Sequence, residues 1–226
     1  MTSDLLYGGR VIKHLESIPD VGSTLVVVRH SERPSFGKMP VEQWDYVTLT
    51  ERGVQAAKDF GRVIAQKRKQ HRLNVHSWGL KRCVDTAENI AAGAREAGHH
   101  DPQTTRLRIR SPVADLEAYN NLMRRGVWTE MLLGWLVDGS YESLLPMREF
   151  TAEVLTRLLA EDICVNGETT VVATHDLNIF PLISYLHGRP VMKVDFLDGF
   201  VLKSDGKDVH VGFDGYSRTI DHAGLF

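Results

Sequence analysis

Residues 24–33 read TLVVVRHSER, a run of apolar and β-branched side chains that ends abruptly in charged ones. The stretch Thr24–Val28 shows no alternation of polar and apolar positions, which is typical of a strand buried on both faces of a sheet. Strands of this kind belong to parallel sheets. The run therefore predicts a central parallel strand with Arg29 and His30 at its carboxyl end.

The same arrangement recurs late in the chain. Thr169–Ala173 reads TTVVA and predicts a second buried strand, followed by Thr174, His175 and Asp176. In open α/β sheets, ligands bind outside the carboxyl ends of the strands. We therefore expect His30 and His175 to lie at the same edge of one sheet.

Helical and extended patterns alternate through the rest of the sequence. Thr50 is a candidate N-cap for the helix that follows it, and Gly98 a candidate stop for the next helix. The alternation predicts a three-layer α/β/α sandwich with a mainly parallel sheet, a helical insertion and a C-terminal antiparallel hairpin. The predicted helices cover residues 50–71, 80–97, 122–137, 146–166 and 177–187, and the further strands cover residues 73–76, 106–110, 200–203 and 209–213.

Length and composition limit the class of protein. The 226 residues, 42% of them hydrophobic, fit a single domain over residues 1–226 with a helical, cap-like insertion at about 112–145. A net charge of -2 disfavours nucleic acid and membrane surfaces as partners. The two cysteines, Cys83 and Cys164, form no disulfide or zinc pattern, and no signal peptide is visible. We expect a cytoplasmic protein without a bound metal or cofactor.

The candidate site residues are cations and imidazoles. Arg29, His30 and His175 follow buried strands, and Arg82 opens a helix after another strand. Guanidinium groups pair bidentately with phosphate and stay charged at any working pH. Arginines around a histidine disfavour its charged form and leave a neutral nitrogen that can attack phosphorus. The pattern predicts phosphoryl chemistry through a phosphohistidine.

Four ordered segments resemble the motifs of the histidine phosphatase superfamily, the phosphoglycerate-mutase-like proteins. They run from about position 24 to 187, and residues 25–33 resemble the nucleophile motif of that family. Ser31 stands where the motif usually has glycine. The other matches are Leu49, Thr50, Gly53, Gln55 and Ala56 with LTxxGxxQA, in which Gln55 and Ala56 stand one position early; Ser77, Leu80, Arg82, Thr86 and Ala87 with SxxLxRxxxTA; and Val171–His175 with the strand that carries the second histidine.

This resemblance implies roles for the matching residues. His30 is expected to accept the phosphoryl group, while Arg29, Arg82 and His175 hold its oxygens. Arg33 stands where the acid-phosphatase branch has a further phosphate-binding arginine. The implied activity is a metal-independent phosphatase that hydrolyses a small phosphomonoester through a covalent phosphohistidine.

The leaving alkoxide needs a proton from a carboxyl group. In mutase-like branches a glutamate after the third strand supplies it, and Glu117 fits that place. In the acid-phosphatase branch the donor directly follows the second histidine, which here is Asp176. The short chain favours Glu117 slightly, and Asp115 is a weaker candidate. A donor that must be protonated predicts an activity optimum on the acid side of neutrality.

Two other functions remain open from the sequence. A phosphoglycerate-type phosphomutase would return the phosphoryl group to another hydroxyl instead of water. A catalytically inactive phospho-ligand binding module is suggested only by Ser31 and by Pro34, which lies one position earlier than the proline of the acid-phosphatase branch. The sequence leaves the substrate and the oligomeric state undetermined.

Overall fold

The computed structural model describes residues 5–20, 22–100 and 102–221. The strands in these residues are β1 (Ser23–Arg29), β2 (Leu73–Ser77), β3 (Gln103–Arg106), β4 (Thr169–Thr174), β5 (Gly199–Ser204), β6 (Asp208–Phe213) and β7 (Tyr216–Asp221). The helices are α1 (Gly9–Ser17), α2 (Glu51–Lys67), α3 (Lys81–Glu96), α4 (Leu116–Arg125), α5 (Trp128–Asp138), α6 (Met147–Leu158) and α7 (Asp176–His187), with a short 3₁₀ helix at Val41–Tyr46.

The strands form one sheet in the order β3-β2-β4-β1-β5-β6-β7. The first four strands in this order run parallel to one another, and β5, β6 and β7 continue the sheet by antiparallel pairing. The predicted parallel centre and C-terminal hairpin are confirmed. The strand β7, which the sequence reading missed, extends the hairpin by one strand.

Helices cover both faces of this sheet. Because successive side chains of a strand point to opposite faces, Val26 and Val28 of β1 pack in one core and Leu25 and Val27 in the other. The first core includes buried side chains of α1, α2 and α3, and the second includes buried side chains of α4 to α7. The predicted three-layer α/β/α sandwich is confirmed.

The predicted helix over residues 122–137 is two helices. Gly126 closes α4 with a φ of 72°, a left-handed conformation that favours glycine, and α5 begins two residues later. Both helices lie within the segment expected as an insertion, about residues 112–145. None of the helices in the described residues is both long and apolar enough to cross a bilayer.

Three other expected boundaries were wrong. The strand expected at Arg106–Arg110 ends at Arg106, because its partner β2 ends at Ser77, the residue paired with Arg106. The helix expected to reach Asn166 ends at Leu158, and the helix expected to reach His71 ends at Lys67. The expected N-cap at Thr50 is confirmed, since its side chain accepts a hydrogen bond from the Gly53 amide at 2.9 Å.

The N-terminal helix α1 was not predicted from the sequence. It is held by Lys203 of β5, whose side chain is 1% exposed. The Lys203 ammonium donates hydrogen bonds to the carbonyl oxygens of Leu15 at 2.9 Å and Ile18 at 3.0 Å, which are free at the end of the helix. A buried cation thus fixes α1 against the sheet.

Candidate active site

The pairing of β1 with β4 brings the two predicted histidines together. Arg29 is in register with Thr174, and the His30 amide donates a hydrogen bond to the Thr174 carbonyl at 2.7 Å. The imidazole rings of His30 and His175 lie edge to face with their centroids 5.4 Å apart. His30 is only 2% exposed. The expectation that the two histidines meet at one sheet edge agrees with this geometry.

His30 is held with one ring nitrogen free. Its Nδ1 lies 2.8 Å from the Ser31 carbonyl oxygen, to which a protonated Nδ1 donates. A neutral ring in this tautomer has an unprotonated Nε2, and that atom has the lone pair that a nucleophile needs.

Ser31 holds the backbone beside His30 in place. The Ser31 amide donates to Thr86 Oγ1 at 2.9 Å, and its hydroxyl donates to the Gly53 carbonyl at 2.7 Å. A Cβ at Gly53 would overlap the carbonyl oxygen of Glu32, so only glycine fits there. Ser31, which departs from the family motif, thus ties the His30 loop to α2 and α3.

His175 is oriented through its other nitrogen. The Leu80 amide donates to His175 Nε2 at 3.4 Å, and Cys83 Sγ lies 3.2 Å from the same atom. Burial raises the pKa of the Cys83 thiol to about 12, so the thiol keeps its hydrogen and donates it. Two donors at Nε2 leave the hydrogen of a neutral His175 on Nδ1.

Both histidines are neutral at ordinary pH. Burial and, to a smaller extent, the charges of Arg82, Arg29 and Arg33 together lower the pKa of His175 to about 3. Burial also holds the pKa of His30 well below its usual value, with smaller contributions from His175, Arg29 and Arg82. A neutral imidazole is the form that can attack phosphorus.

The three predicted arginines share one pattern of contacts. Nη1 of Arg29 donates to the Val194 carbonyl at 2.8 Å, Nη1 of Arg33 to the Pro34 carbonyl at 2.7 Å, and Nη1 of Arg82 to the Trp44 carbonyl at 2.8 Å. In all three, Nε is buried and has no hydrogen-bond partner. Buried donors without partners are costly, so an acceptor that reaches any of these atoms would be favourable.

These arginines also affect one another electrostatically. Burial, with smaller contributions from the charges of Arg82 and Arg29, lowers the pKa of Arg33 to about 10, while the charge of Asp176 acts in the opposite direction. Burial lowers the pKa of Arg82 as well. Gathered cations destabilise each other until an anion lies among them.

Of the candidate proton donors, Asp176 lies among the arginines. Its Oδ2 is 2.9 Å from Arg29 Nη2, and it is the first residue of α7, whose N-cap is His175 rather than Asp176. Glu117, in the first turn of α4, is exposed. Asp115 caps α4 by accepting a hydrogen bond from the Ala118 amide at 3.0 Å.

Tyr119 of α4 lies near the charged side chains of the site, Asp176 and Arg82. It lies two positions after Glu117, which is about half a helical turn, so the two side chains point in different directions. Burial raises the pKa of Tyr119, and the nearby charges of Asp176 and Asp45 raise it further, while Arg82 lowers it. Tyr119 was not among the residues predicted from the sequence, because it lies in none of the four motifs.

Two phenylalanines contact the arginines and were also missed. The Arg29 guanidinium lies 4.7 Å from the ring centroid of Phe196, which is 5.8 Å from that of His30. Arg33 lies 3.4 Å from the ring centroid of Phe36. Only the proximity of Phe36 to Arg33 in the sequence could have indicated such a contact.

A cavity of about 730 Å³ reaches Phe196, whose ring centroid lies 5.8 Å from that of His30, but neither histidine lines it. Phe196 and Tyr7 form part of its wall, and their rings meet edge to face at 5.5 Å. The remaining wall comes from the start of α1, from Leu6 and Gly8 just before it, and from Asp195 and Asp198. In the parts of the chain that the structure describes, no three histidine, cysteine, aspartate or glutamate side chains are grouped so as to hold a metal ion.

Comparison with known proteins identifies the family. The family model of the histidine phosphatase superfamily (branch 1) matches residues 25–198. No curated protein sequence matches the chain.

Solved structures share the fold at low sequence identity. YhfR of Bacillus stearothermophilus superimposes with a TM-score of 0.58 at 17% identity, over 90% of this chain and 99% of that one. A mycobacterial glucosyl-3-phosphoglycerate phosphatase gives 0.54 at 18% identity, over 88% and 97% of the two chains. Phosphoglycerate mutase of Bacillus anthracis gives 0.54 at 17% identity, over 91% and 94%.

The family match spans most of the chain and includes both strands that carry the histidines. The matched residues include the sheet edge where His30 and His175 lie, and also Arg29, Arg33 and Arg82. The chain belongs to the histidine phosphatase superfamily.

Proposed function

We propose that this protein is a metal-independent phosphomonoesterase that works through a covalent phosphohistidine at His30. One observation carries the proposal: Arg29, Arg33 and Arg82 each keep a buried Nε without a partner beside two neutral histidines. A dianionic phosphoryl group offers three acceptor oxygens and would satisfy all three donors. The solved relatives include phosphatases and a mutase, so phosphoryl chemistry agrees with the family.

In the first step, the lone pair of His30 Nε2 attacks phosphorus. The phosphorus–oxygen bond to the alcohol breaks as the phosphorus–nitrogen bond forms, and the leaving oxygen takes a proton from a carboxyl group. The arginines and the Nδ1 hydrogen of His175 stabilise the charge that spreads over the equatorial oxygens. The products of this step are the free alcohol and phosphohistidine.

In the second step, water attacks the phosphohistidine. The same carboxylate accepts a proton from the water, the phosphorus–nitrogen bond breaks, and its electron pair returns to His30 Nε2. Inorganic phosphate then leaves the arginines. The acid of the first step is the base of the second, so the carboxyl group ends the cycle protonated as it began.

We assign the carboxyl role to Asp176 rather than to Glu117, which the sequence favoured slightly. Asp176 contacts Arg29 and directly follows His175, whereas Glu117 is exposed on α4. A proton donor must come within hydrogen-bond reach of the leaving oxygen. The position of Asp176 beside a phosphate-binding arginine supports this assignment.

The proposed activity predicts phosphate release that depends on His30. We expect the native protein to release phosphate from at least one member of a broad phosphomonoester panel, with and without a chelator. His30→Ala should lower kcat by at least a thousandfold, because no other nitrogen can form the covalent intermediate. A colorimetric phosphate assay measures both.

Conversion of 3-phosphoglycerate without phosphate release would instead indicate the phosphomutase. Binding of phosphate esters without any turnover would indicate the inactive binding module. Full activity of His30→Ala on the best substrate would contradict the phosphohistidine mechanism.

The assignment of the donor predicts different effects for two carboxyl variants. Asp176→Asn should lower kcat on an alkyl phosphate about a hundredfold or more, which is the usual size of a general-acid contribution. The loss should be much smaller on p-nitrophenyl phosphate, because p-nitrophenolate leaves without a proton. Glu117→Gln is the matched control and should keep near-native kcat on both substrates. The reverse pattern, with the selective loss in Glu117→Gln, would overturn the assignment.

The buried neutral histidines predict that stability falls with acid. His30 and His175 are neutral when folded but take up protons near pH 6.5 when unfolded, so the unfolded state binds more protons below that pH. Each should lower the free energy of unfolding by up to about 1.4 kcal/mol per pH unit between pH 6.5 and 5.

Urea unfolding from pH 8 to pH 5 measures this dependence. The double variant His30→Gln, His175→Gln should show a clearly shallower slope below pH 6.5 than the native protein. The slope that remains comes from other buried histidines such as His14 and His76, whose pKa burial also lowers. The control His100→Gln, at an exposed position outside the site, should keep the native slope. Equal slopes in the native protein and the double variant would show that the two histidines are not buried as neutral groups. Activity should persist as the pH falls below 6.5, because burial holds the pKa of His30 well below its usual value.

A further inference from the structure

The segment between Arg33 and the N-cap of α2 covers the phosphate-binding arginines. It includes the loop of residues 34–40, which is mostly exposed, and the 3₁₀ helix Val41–Tyr46. The segment lies outside the motifs that carry the family resemblance, and the proposed mechanism assigns it no role. It contributes two half-buried aromatic side chains, Phe36 and Trp44.

These two rings stack on each other and on an arginine. The planes of Phe36 and Trp44 are 2° apart and their centroids 4.3 Å apart. The guanidinium carbon of Arg33 lies 3.4 Å from the centroid of Phe36. At this distance a guanidinium is in direct contact with an aromatic face, an arrangement that stabilises the cation and fixes its plane.

The same pair of residues reaches Arg82. The Trp44 carbonyl accepts a hydrogen bond from Arg82 Nη1 at 2.8 Å, and the guanidinium carbon of Arg82 lies 5.8 Å from the Phe36 centroid. Trp44 is itself fixed by the hydrogen bond from its indole nitrogen to the Met39 carbonyl at 3.1 Å. One stacked pair therefore contacts two of the three arginines.

Holding Arg33 and Arg82 in place costs free energy, and their contacts with the stacked rings offset that cost. The two cations repel each other, and an arginine side chain free to rotate would turn outward to water. An exposed ion pair between Glu42 of the 3₁₀ helix and Arg124 links the segment to α4. Arginines oriented in advance lose less conformational entropy when an anion binds.

We propose that the Phe36–Trp44 stack is a positioning element that holds Arg33 and Arg82 in their phosphate-binding orientation before substrate enters. The proposal rests on the proposed function, because it assumes that these arginines bind the phosphoryl group. It assigns to Phe36 and Trp44 no contact with the reacting atoms. Their effect is on the affinity for the phosphoryl group rather than on the chemical step.

The test measures binding of orthovanadate by calorimetry, together with kcat and KM on the best substrate. Phe36→Leu keeps an apolar side chain of similar bulk but removes the aromatic face. It should weaken the Kd for orthovanadate about tenfold and raise KM by a similar factor, with a smaller change in kcat. Phe36→Tyr keeps the face and should bind within about twofold of native, as an aromatic ring is all that the stack requires.

Two controls separate positioning from general damage to the fold. Tyr46→Leu removes an aromatic ring from the same segment at a side chain that is 80% exposed, and it should leave Kd and KM unchanged. In an Arg33→Ala background, the further change Phe36→Leu should weaken binding by less than about threefold, because most of its effect passes through Arg33. A purely structural role for Phe36 would give the same factor in both backgrounds.

The outcomes distinguish this inference from the proposed function. If the native protein binds no orthovanadate, the phosphate site itself is wrong. If the native protein binds and Phe36→Leu binds equally well, the site stands and the positioning role is overturned. Equal effects of Phe36→Leu with and without Arg33, or a similar loss in Phe36→Tyr, would also overturn it.

Discussion

The parallel pairing of β1 with β4 is the constraint on which the rest of the site depends. It places the residue after each strand at the same edge of the sheet, so His30 and His175 become neighbours without any contact between their own side chains being required. A shift of one residue in register would send every side chain of β1 to the opposite core. The two cores on either face of the sheet therefore fix the register, and the register fixes the distance between the imidazoles.

Burial then determines the chemistry at this edge. Removing His30 and His175 from water disfavours their charged forms, and the nearby arginines act in the same direction. The arginines cannot lose their protons in the same way, so they remain as cations with unmet hydrogen-bonding capacity. A crevice with neutral nucleophilic nitrogen and fixed positive charge suits a dianionic group with a phosphorus centre. The aromatic contacts of Phe36 and Phe196 hold two of these cations where the fold places them.

The sequence predicted the parts of the structure that depend on short, strongly patterned segments. The buried strands, the cap at Thr50 and the C-terminal hairpin follow from local chemistry, and the two histidines follow from their place after the strands. The split of the helix at Gly126 and the end of β3 at Arg106 depend on what each segment packs against or pairs with. The periodicity of apolar residues in a segment does not indicate which other segments it will contact.

The site shows the same division between local and tertiary information. The positions of the arginines and histidines followed from motifs. The surroundings of Ser31 and Tyr119 depend instead on contacts between segments far apart in the chain. Ser31 differed from the expected glycine, and only the hydrogen bond that its hydroxyl donates to the Gly53 carbonyl shows what that hydroxyl does. The choice between Glu117 and Asp176 likewise depended on which side of α4 faces the crevice.

The central claim is that His30 carries the phosphoryl group during turnover. The most direct measurement mixes the native protein with p-nitrophenyl phosphate, quenches the reaction in base and locates any phosphoryl group by mass spectrometry of the peptides. Phosphohistidine survives base and is lost in acid, so its stability identifies the bond. The account predicts a base-stable, acid-labile phosphoryl group on His30. Steady release of p-nitrophenol with the phosphoryl group on a different residue would contradict it.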